Sequence, residues 1–448
     1  MTDSIATSQT ILVVGGGISG MTAALEAAEC GKQVILVEKT AALGGRTAQL
    51  YRYFPKMCHP TCRLEINLQR IRGNPNVRVM TMTEVVSVAG ARGDYTATLR
   101  VAPRYVTENC TACGDCGRAV SAEVPNPYNY GLDKVKAAHL PHGMAYPQRY
   151  VLDPSIVGSD EGEKAKAACR FDAIDLEMQE QTLELKAGAI VWATGWRPYD
   201  AAKIQPYGYD RFPNVITSVE FERMADVGGP TGGKLLRPSD GKEATNVAFI
   251  QCAGSRDENH LRHCSRVCCM ASLKQTQYVR DVCGDDGRST IYYIDLRVID
   301  RFEDFYQQVK ADSTVSFVKS KVARIAENGE NGNLVLHGVN TEGYHRYANE
   351  HDLVVLAVGM EPAIKGVTLP EDIILDTSAF IEGSRDGGMC GAGTASAPLD
   401  VNRAVQNATA ASLRAIQVIH KTASPETATA AAQSAAQVNP TTASTETT

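Results

Sequence analysis

Cys110, Cys113 and Cys116 stand at the Cys-x2-Cys-x2-Cys spacing that holds an iron-sulfur cluster, but the position of that motif's fourth thiol is Val120. A second group comprises Cys252, Cys264, Cys268 and Cys269, and a third is Cys58 and Cys62 in Cys58-His59-Pro60-Thr61-Cys62. Thiols at such spacings bind soft metals and clusters as thiolates, or pass electrons as a dithiol. The chain has 13 cysteines in 448 residues, an odd number, with no secretory leader before the first strand at Ile11. A reducing, cytoplasmic setting is therefore expected rather than a disulfide framework.

In a two-cluster ferredoxin the fourth thiol of each motif ligates the cluster of the other. Cys169-Arg170-Phe171-Asp172-Ala173-Ile174 looks like the end of a second motif, whose first three thiol positions are Ser159, Gly162 and Ala165. The thiols missing at 120, 159, 162 and 165 are all the ligands of one cluster. Cys110, Cys113, Cys116 and Cys169 are a full set for the other, so one 4Fe-4S cluster is expected in a ferredoxin-like insert over 104–176. Arg170 stands where ferredoxins carry Pro, and a zinc-stapled or metal-free insert is the alternative.

For the second set, a helix beginning near Cys264 would put Cys264 and Cys268 on one face, with Cys252 reaching them from a strand end. Arg256, Arg262 and Arg266 would favour thiolates there. Adjacent cysteines suit the wider span of a cluster better than a single tetrahedral ion, and a second 4Fe-4S cluster is expected. Cys58 and Cys62 are read either as a redox dithiol or as a local turn with two buried thiols. Cys30 is expected in the core, and Cys283 and Cys390 have no visible partner.

The elements that must position these groups begin with an apolar β run at 10–14, then Gly15-Gly16-Gly17-Ile18-Ser19-Gly20, a helical pattern over 21–30, and a strand over 33–37 ending in Glu38. This is a dinucleotide fingerprint in full context: Gly15, Gly17 and Gly20 admit the pyrophosphate at a helix N-terminus, and Glu38 is placed for the ribose hydroxyls. Leu43-Gly44-Gly45-Arg46 resembles the double-glycine element of two-dinucleotide-domain flavoproteins. Ala193-Thr194-Gly195 resembles their Ala-Thr-Gly turn, Leu356-Ala357-Val358-Gly359 a second copy of it, and Gly391-Ala392-Gly393-Thr394 their late flavin-side segment. FAD is thus expected on Gly15, Gly17, Gly20, Glu38, Gly44, Gly45, Arg46, Thr194, Gly195, Gly393 and Thr394, with Val85 assigned to the same site. A second nucleotide domain should open with the strand 246–251. The turn after it, Cys252-Ala253-Gly254-Ser255-Arg256, lacks the further glycines of a phosphate loop, so no nicotinamide is expected there.

The expected fold class is α/β, a Rossmann-type FAD domain with a ferredoxin-like insert and a second, degenerate nucleotide-binding-like domain. In chain order, 1–103, 177–243 and 351–420 belong to the FAD domain, 104–176 to the insert, 244–350 to the degenerate domain, and 421–448 to a disordered tail poor in large apolar residues. Apolar runs such as 187–193 fall short of the roughly 20 residues that cross a bilayer. The formal charge of -6, with signs interspersed, offers no basic stripe for nucleic acid.

These residues together resemble the A subunits of heterodisulfide reductases, FAD proteins with cluster-bearing inserts. The resemblance rests on the run from Gln251-Cys252 to Cys268-Cys269, with Gly254-Ser255-Arg256 and Cys264-Ser265-Arg266, and covers nearly the whole chain to about His420. Within that group, Tyr51-Arg52-Tyr53-Phe54-Pro55-Lys56-Met57-Cys58-His59-Pro60-Thr61-Cys62 and the depleted insert look most like the A subunits of quinone-interacting membrane-bound oxidoreductase (Qmo) complexes. The resemblance implies an electron-transfer subunit between the menaquinone pool and adenylylsulfate reductase in dissimilatory sulfur metabolism. Its partners would be a second flavin and iron-sulfur subunit plus a haem-bearing, quinone-reactive membrane subunit, which would hold it at the inner face of the cytoplasmic membrane. No catalytic base or nucleophile is assigned. Two rivals are a free-standing NAD(P)H-dependent disulfide reductase using Cys58 and Cys62, and a non-catalytic scaffold stabilised by flavin and metal.

Overall fold

The computed structural model describes residues 6–364 and 368–423. Wholly apolar runs such as Ile11–Val14, Val34–Val37 and Ala189–Trp192 have no polar face to offer solvent, so they are stable as strands covered on both sides. They form a five-stranded parallel sheet in the order Met389–Gly391, Ala189–Trp192, Ile11–Val14, Val34–Val37, Val77–Met80. Side chains alternate across it. Ile11 and Val13 pack under helices Ile18–Glu29, Thr61–Gly73 and Val401–Ala423, while Leu12 and Val14 pack on an antiparallel sheet of Thr83–Ala91, Asp94–Val101 and Gln181–Ala187.

The chain builds this unit a second time. Val215–Thr217, Leu353–Val358, Asn246–Ala253, Arg288–Tyr293 and Val315–Lys319 form another five-stranded parallel sheet in that order. Val247 and Phe249 face helices Ser218–Ala225, Cys268–Cys283 and Glu303–Lys310, and Ala248 and Ile250 face the antiparallel strands Arg324–Glu327, Leu334–Asn340 and His345–His351. The segments leaving the two sheets, Trp196–Pro198 and Met360–Pro362, pair with each other and tie the units together.

Between Asp94–Val101 and Gln181–Ala187 the chain leaves the first unit as a small lobe with its own core. Val106 bridges Ile174 across its base, and helices Asp115–Ala119 and Asp160–Ala168 pack on each other. Val120 and Ala165, two of the positions read from the sequence as lacking a ferredoxin thiol, belong to that core. At a third, a Cβ on Gly162 would lie 2.5 Å from the Ile156 carbonyl oxygen.

Two expectations are corrected by the local geometry. The helix after the second cysteine set begins at Cys268, not near Cys264, because Arg266 takes a positive φ of 64° and the Val267 N–H bonds the Ser265 carbonyl at 2.6 Å. Helix Val401–Ala423 enters the stretch assigned to the tail, since Ala415, Val418 and Ile419 continue an apolar stripe buried on the first unit. The rest of that stretch, 424–448, lies outside the described residues. Among the described residues no helix is long and apolar enough to cross a membrane.

Candidate functional site

Strand Ile11–Val14 hands over to helix Ile18–Glu29 through Gly15, Gly16 and Gly17 alone. Gly15 has φ 111°, and a Cβ on it would lie 2.3 Å from the Ala193 carbonyl oxygen, so the turn closes against Ala193-Thr194-Gly195. A Cβ on Gly20 would lie 1.7 Å from the Gly15 carbonyl oxygen, so only glycine lets the helix sit this close. No side chain caps that helix, which leaves its first N–H groups for an anion. Glu38 accepts from the Gly16 N–H at 2.6 Å and from the Thr40 N–H at 2.8 Å, so the acid expected to meet a ribose also fixes the glycine turn.

A cleft of about 1520 Å³ opens at this turn, and Gly15, Gly17, Glu38, Gly45, Arg46, Val85, Thr194, Gly195 and Thr394 line it. Gly20, Gly44 and Gly393 stand behind the wall. Gly44 donates its N–H to the Gly16 carbonyl at 2.9 Å, and a Cβ on Gly393 would fall 1.8 Å from Ser19 Oγ. Arg46 is already engaged, donating to the Trp196 carbonyl at 2.6 Å and to the Tyr130 hydroxyl at 3.0 Å. Four buried oxygens of cleft-lining residues have no hydrogen-bond partner: the Tyr53 hydroxyl, Thr194 Oγ1, Gln275 Oε1 and Asp400 Oδ2. A long cleft with a glycine cradle, an uncapped helix end and orphaned polar atoms fits FAD.

Asp400 was not singled out from the sequence. Its Oδ1 accepts from the Asn402 and Arg403 N–H groups at 2.9 and 3.1 Å, and Asp before a helix is a signal that finds such a cap. Lys274 and Glu222 were also missed. Both are buried in the cleft wall and pair at 2.8 Å, and Lys274 donates to the Arg52 carbonyl at 2.8 Å. Burial pulls the Lys274 ammonium below its ordinary range, and Glu222 holds it up in part. No spacing rule links residues 52 positions apart, so local pattern carries no signal for this pair.

In the insert, Cys110, Cys113, Cys116 and Cys169 line one small cavity. The loops wrap backbone donors towards the sulfurs: Ala112 N–H lies 3.4 Å from Cys110 Sγ, and Ala173 N–H 3.3 Å from Cys169 Sγ. Burial pushes the Cys116 thiol up to about 11, and the other three cysteines add to the shift. Arg170, at the proline position, pairs with Asp115 at 2.8 Å and joins the two halves of the lobe.

The second set converges as well. Cys268 and Cys269 open helix Cys268–Cys283, Cys252 ends a strand at φ 57°, and Cys264 accepts from the Arg266 N–H at 3.3 Å. Burial drives the Cys268 thiol well up and Cys269 to about 11, with Cys252 and Cys264 contributing to both. Arg256 favours the Cys252 thiolate as expected, but burial outweighs it and the thiol is raised on balance, while Arg256 also pairs with Asp295 and Arg266 with Asp300 at 3.9 Å. Among the described residues, no three His, Cys, Asp or Glu side chains gather tightly enough for a single metal ion. Donor type and the N–H contacts to sulfur in both sets fit clusters.

At the second unit's switch point, a Cβ on Gly254 would lie 2.4 Å from the Tyr199 ring, which covers the place of a phosphate loop. Cys58 and Cys62 are both exposed, which corrects the buried turn: their segment crosses the surface beside the cleft, and Cys58 lines it. Cys30 is likewise exposed at a helix end rather than in the core. Cys283 and Cys390 donate to carbonyls of Ala244 and Ala411 at 3.7 and 3.6 Å.

The profile of the family described as FAD dependent oxidoreductase matches residues 10–89. The chain is 36% identical over 418 residues to the second iron-sulfur A subunit of the CoB--CoM heterodisulfide reductase of Methanopyrus kandleri, covering 90% of this chain and 63% of that protein. It is 34% identical over 428 residues to the A subunit of the ferredoxin/F(420)H(2)-dependent CoB-CoM heterodisulfide reductase of Methanosarcina acetivorans, covering 92% and 53%. The chain thus spans between half and two thirds of the length of these relatives. The thioredoxin reductase of T. acidophilum shares the fold, with a TM-score of 0.50, 12% identity, and coverage of 91% of this chain and 98% of that one. The chain is a Rossmann-type FAD-dependent oxidoreductase homologous to the A subunits of heterodisulfide reductases.

Proposed function

We propose that this chain is an electron-transfer subunit in which FAD and two 4Fe-4S clusters form one path, the clusters resting on Cys110, Cys113, Cys116 and Cys169 and on Cys252, Cys264, Cys268 and Cys269. The path would join the menaquinone pool to adenylylsulfate reductase, beside a second flavin and iron-sulfur subunit plus a haem-bearing membrane subunit, in a complex of the quinone-interacting membrane-bound oxidoreductase kind. One observation carries the relay: a single cleft has both the glycine turn, Gly15 and Gly17, and Cys268 in its wall. FAD, when bound, supplies exchange between two-electron and one-electron chemistry, and clusters take the electrons singly.

The chain's own residues do the rest. Gly15, Gly17 and Gly20 admit a pyrophosphate, Glu38 faces the ribose, and Val85, Thr194, Gly195 and Thr394 wall the cleft. Lys274 and Glu222 set a buried ion pair into the cleft wall. The Tyr199 ring over Gly254 argues against a nicotinamide donor. Anaerobic protein should be poised with NADH and, separately, with menaquinol plus the partner subunits, while the flavin spectrum is followed. Bleaching by quinol through the partners and none by NADH supports the relay. Rapid bleaching by NADH would replace it with a nicotinamide-dependent reductase.

A further inference from the structure

The second cysteine set is wrapped by charged groups that the relay has not used. Ser255-Arg256 and Ser265-Arg266 are two copies of one dipeptide, and both arginines take the left-handed region, at φ 54° and 64°. The serines lock the copies together: Ser255 Oγ meets Ser265 Oγ at 2.8 Å, both buried, and Ser265 Oγ accepts from the Met360 N–H at 2.8 Å. Arg256 is fixed further by its N–H on the His263 carbonyl at 3.1 Å. Its guanidinium pairs with Asp295 and lies beside the Cys252 sulfur, where it favours the charged form. The Asp295 carbonyl in turn meets Cys269 Sγ at 3.8 Å, and its carboxylate is shared with Arg297 at 3.5 Å. The Arg256 side chain is only 23% exposed, so water and salt screen it less than a surface charge.

We propose that Arg256 is a positioning residue that sets the reduction potential of the cluster on Cys252, Cys264, Cys268 and Cys269, by holding a fixed positive charge against the Cys252 sulfur. A 4Fe-4S cluster on four thiolates is an anion, and taking up one electron without a proton adds one negative charge to it. A guanidinium stays protonated throughout, so Arg256 attracts the reduced state more strongly than the oxidised one. That difference raises the potential. Asp295 acts in the opposite sense: it aims the guanidinium, yet its own charge offsets part of the effect. One electron leaves reduced flavin and one arrives at the cluster, and Arg256 favours that direction. The proposal rests on the cluster assignment above, and it names the residue that makes this cluster an acceptor for the flavin's electrons.

The test is a redox titration of the whole chain, purified anaerobically with its flavin and iron and followed by electron paramagnetic resonance. The second cluster's signal is the one that persists in Cys169→Ser and is lost in Cys268→Ser. Arg256→Gln should lower its equilibrium constant for reduction about tenfold, which is about 59 mV for one electron, and Arg256→Lys should recover part of that loss. Asp295→Asn should shift the constant upward by about two- to threefold, the size expected of a partly exposed charge. The insert cluster should keep its wild-type potential in all three. A purely structural role would move Arg256→Gln and Asp295→Asn in the same direction. Shifts of one sign in those two variants, or an unchanged potential in Arg256→Gln at full iron content, would overturn the proposal. If Arg256→Gln holds no iron, Asp295→Asn decides: an upward shift supports the proposal, and a downward shift or none overturns it. Wild type without iron would overturn the cluster assignment and the proposal together, whereas every other outcome leaves that assignment standing.

Discussion

In the first unit three residues, Gly15 to Gly17, separate the central strand from its helix; in the second, 254–267 lie between Asn246–Ala253 and Cys268–Cys283. The two sheets have the same number of parallel strands and the same covering layers. Both crossing helices start without a side-chain cap, whereas the neighbouring helix Ser218–Ala225 has a full capping box at Thr217 and Glu220. An uncapped helix end at a switch point is a site that something else must complete. The short glycine turn leaves room for a pyrophosphate; at the second, the Tyr199 ring from the segment after Trp196–Pro198 lies over Gly254, and the long loop brings Cys264 beside the start of the helix. One architecture can therefore carry a nucleotide or a cluster at the same place, according to the length and residue types of one loop.

The contrast can be broken at several points. The strongest is the pair that holds the second unit's helix against the cleft: Lys274→Met leaves the Glu222 carboxylate buried without its cation, with only the neutral donors Gln275, Tyr278 and the Tyr51 N–H, and should cost about 3–5 kcal/mol in urea unfolding. A loss below about 1 kcal/mol would mean that those neutral hydrogen bonds hold the helix without the ion pair. Acid should act on the second unit through His351, which burial holds down at about 4. Its folded pKa lies below the unfolded value, so the unfolded chain binds the proton first. Stability should fall as pH drops from about 6.5 towards 4, by up to about 3 kcal/mol, and His351→Gln should flatten that slope in urea midpoints at pH 5 and 7.

Smaller effects separate the two switch points. Gly20→Ala puts a methyl against the Gly15 carbonyl and should cost about 1–3 kcal/mol and release flavin, with the iron retained. Gly254→Ala strains the second turn against Tyr199 but should leave flavin bound. Flavin and iron absorbance on the purified variants distinguish these outcomes. Thr217→Ala removes the capping box that the crossing helices lack, and should cost about 1 kcal/mol in stability with both absorbances unchanged.

The glycine cradle and the cysteine sets were legible because their chemistry demands particular residue types at short spacings. Pairing each missing thiol with its partner motif picked out Cys110, Cys113, Cys116 and Cys169 as one set, but not the apolar core that holds Val120 and Ala165. The start of helix Cys268–Cys283 was not legible, since a single positive φ at Arg266 sets it and arginine gives no local cue to that conformation. Thiol burial was misjudged for the same kind of reason: arginines near in sequence turned out to be paired with Asp295 and Asp300, and depth is a tertiary property. Lys274 meets Glu222 only because two helices lie side by side on the second sheet.

On this reading the first switch point takes a flavin and the second a cluster. Flavin, iron and acid-labile sulfide counted in anaerobically purified wild type and Cys268→Ser decide it. One FAD is predicted in both, with about eight irons in wild type and about four in the variant. Wild type without iron, or equal iron in the two proteins, would contradict it.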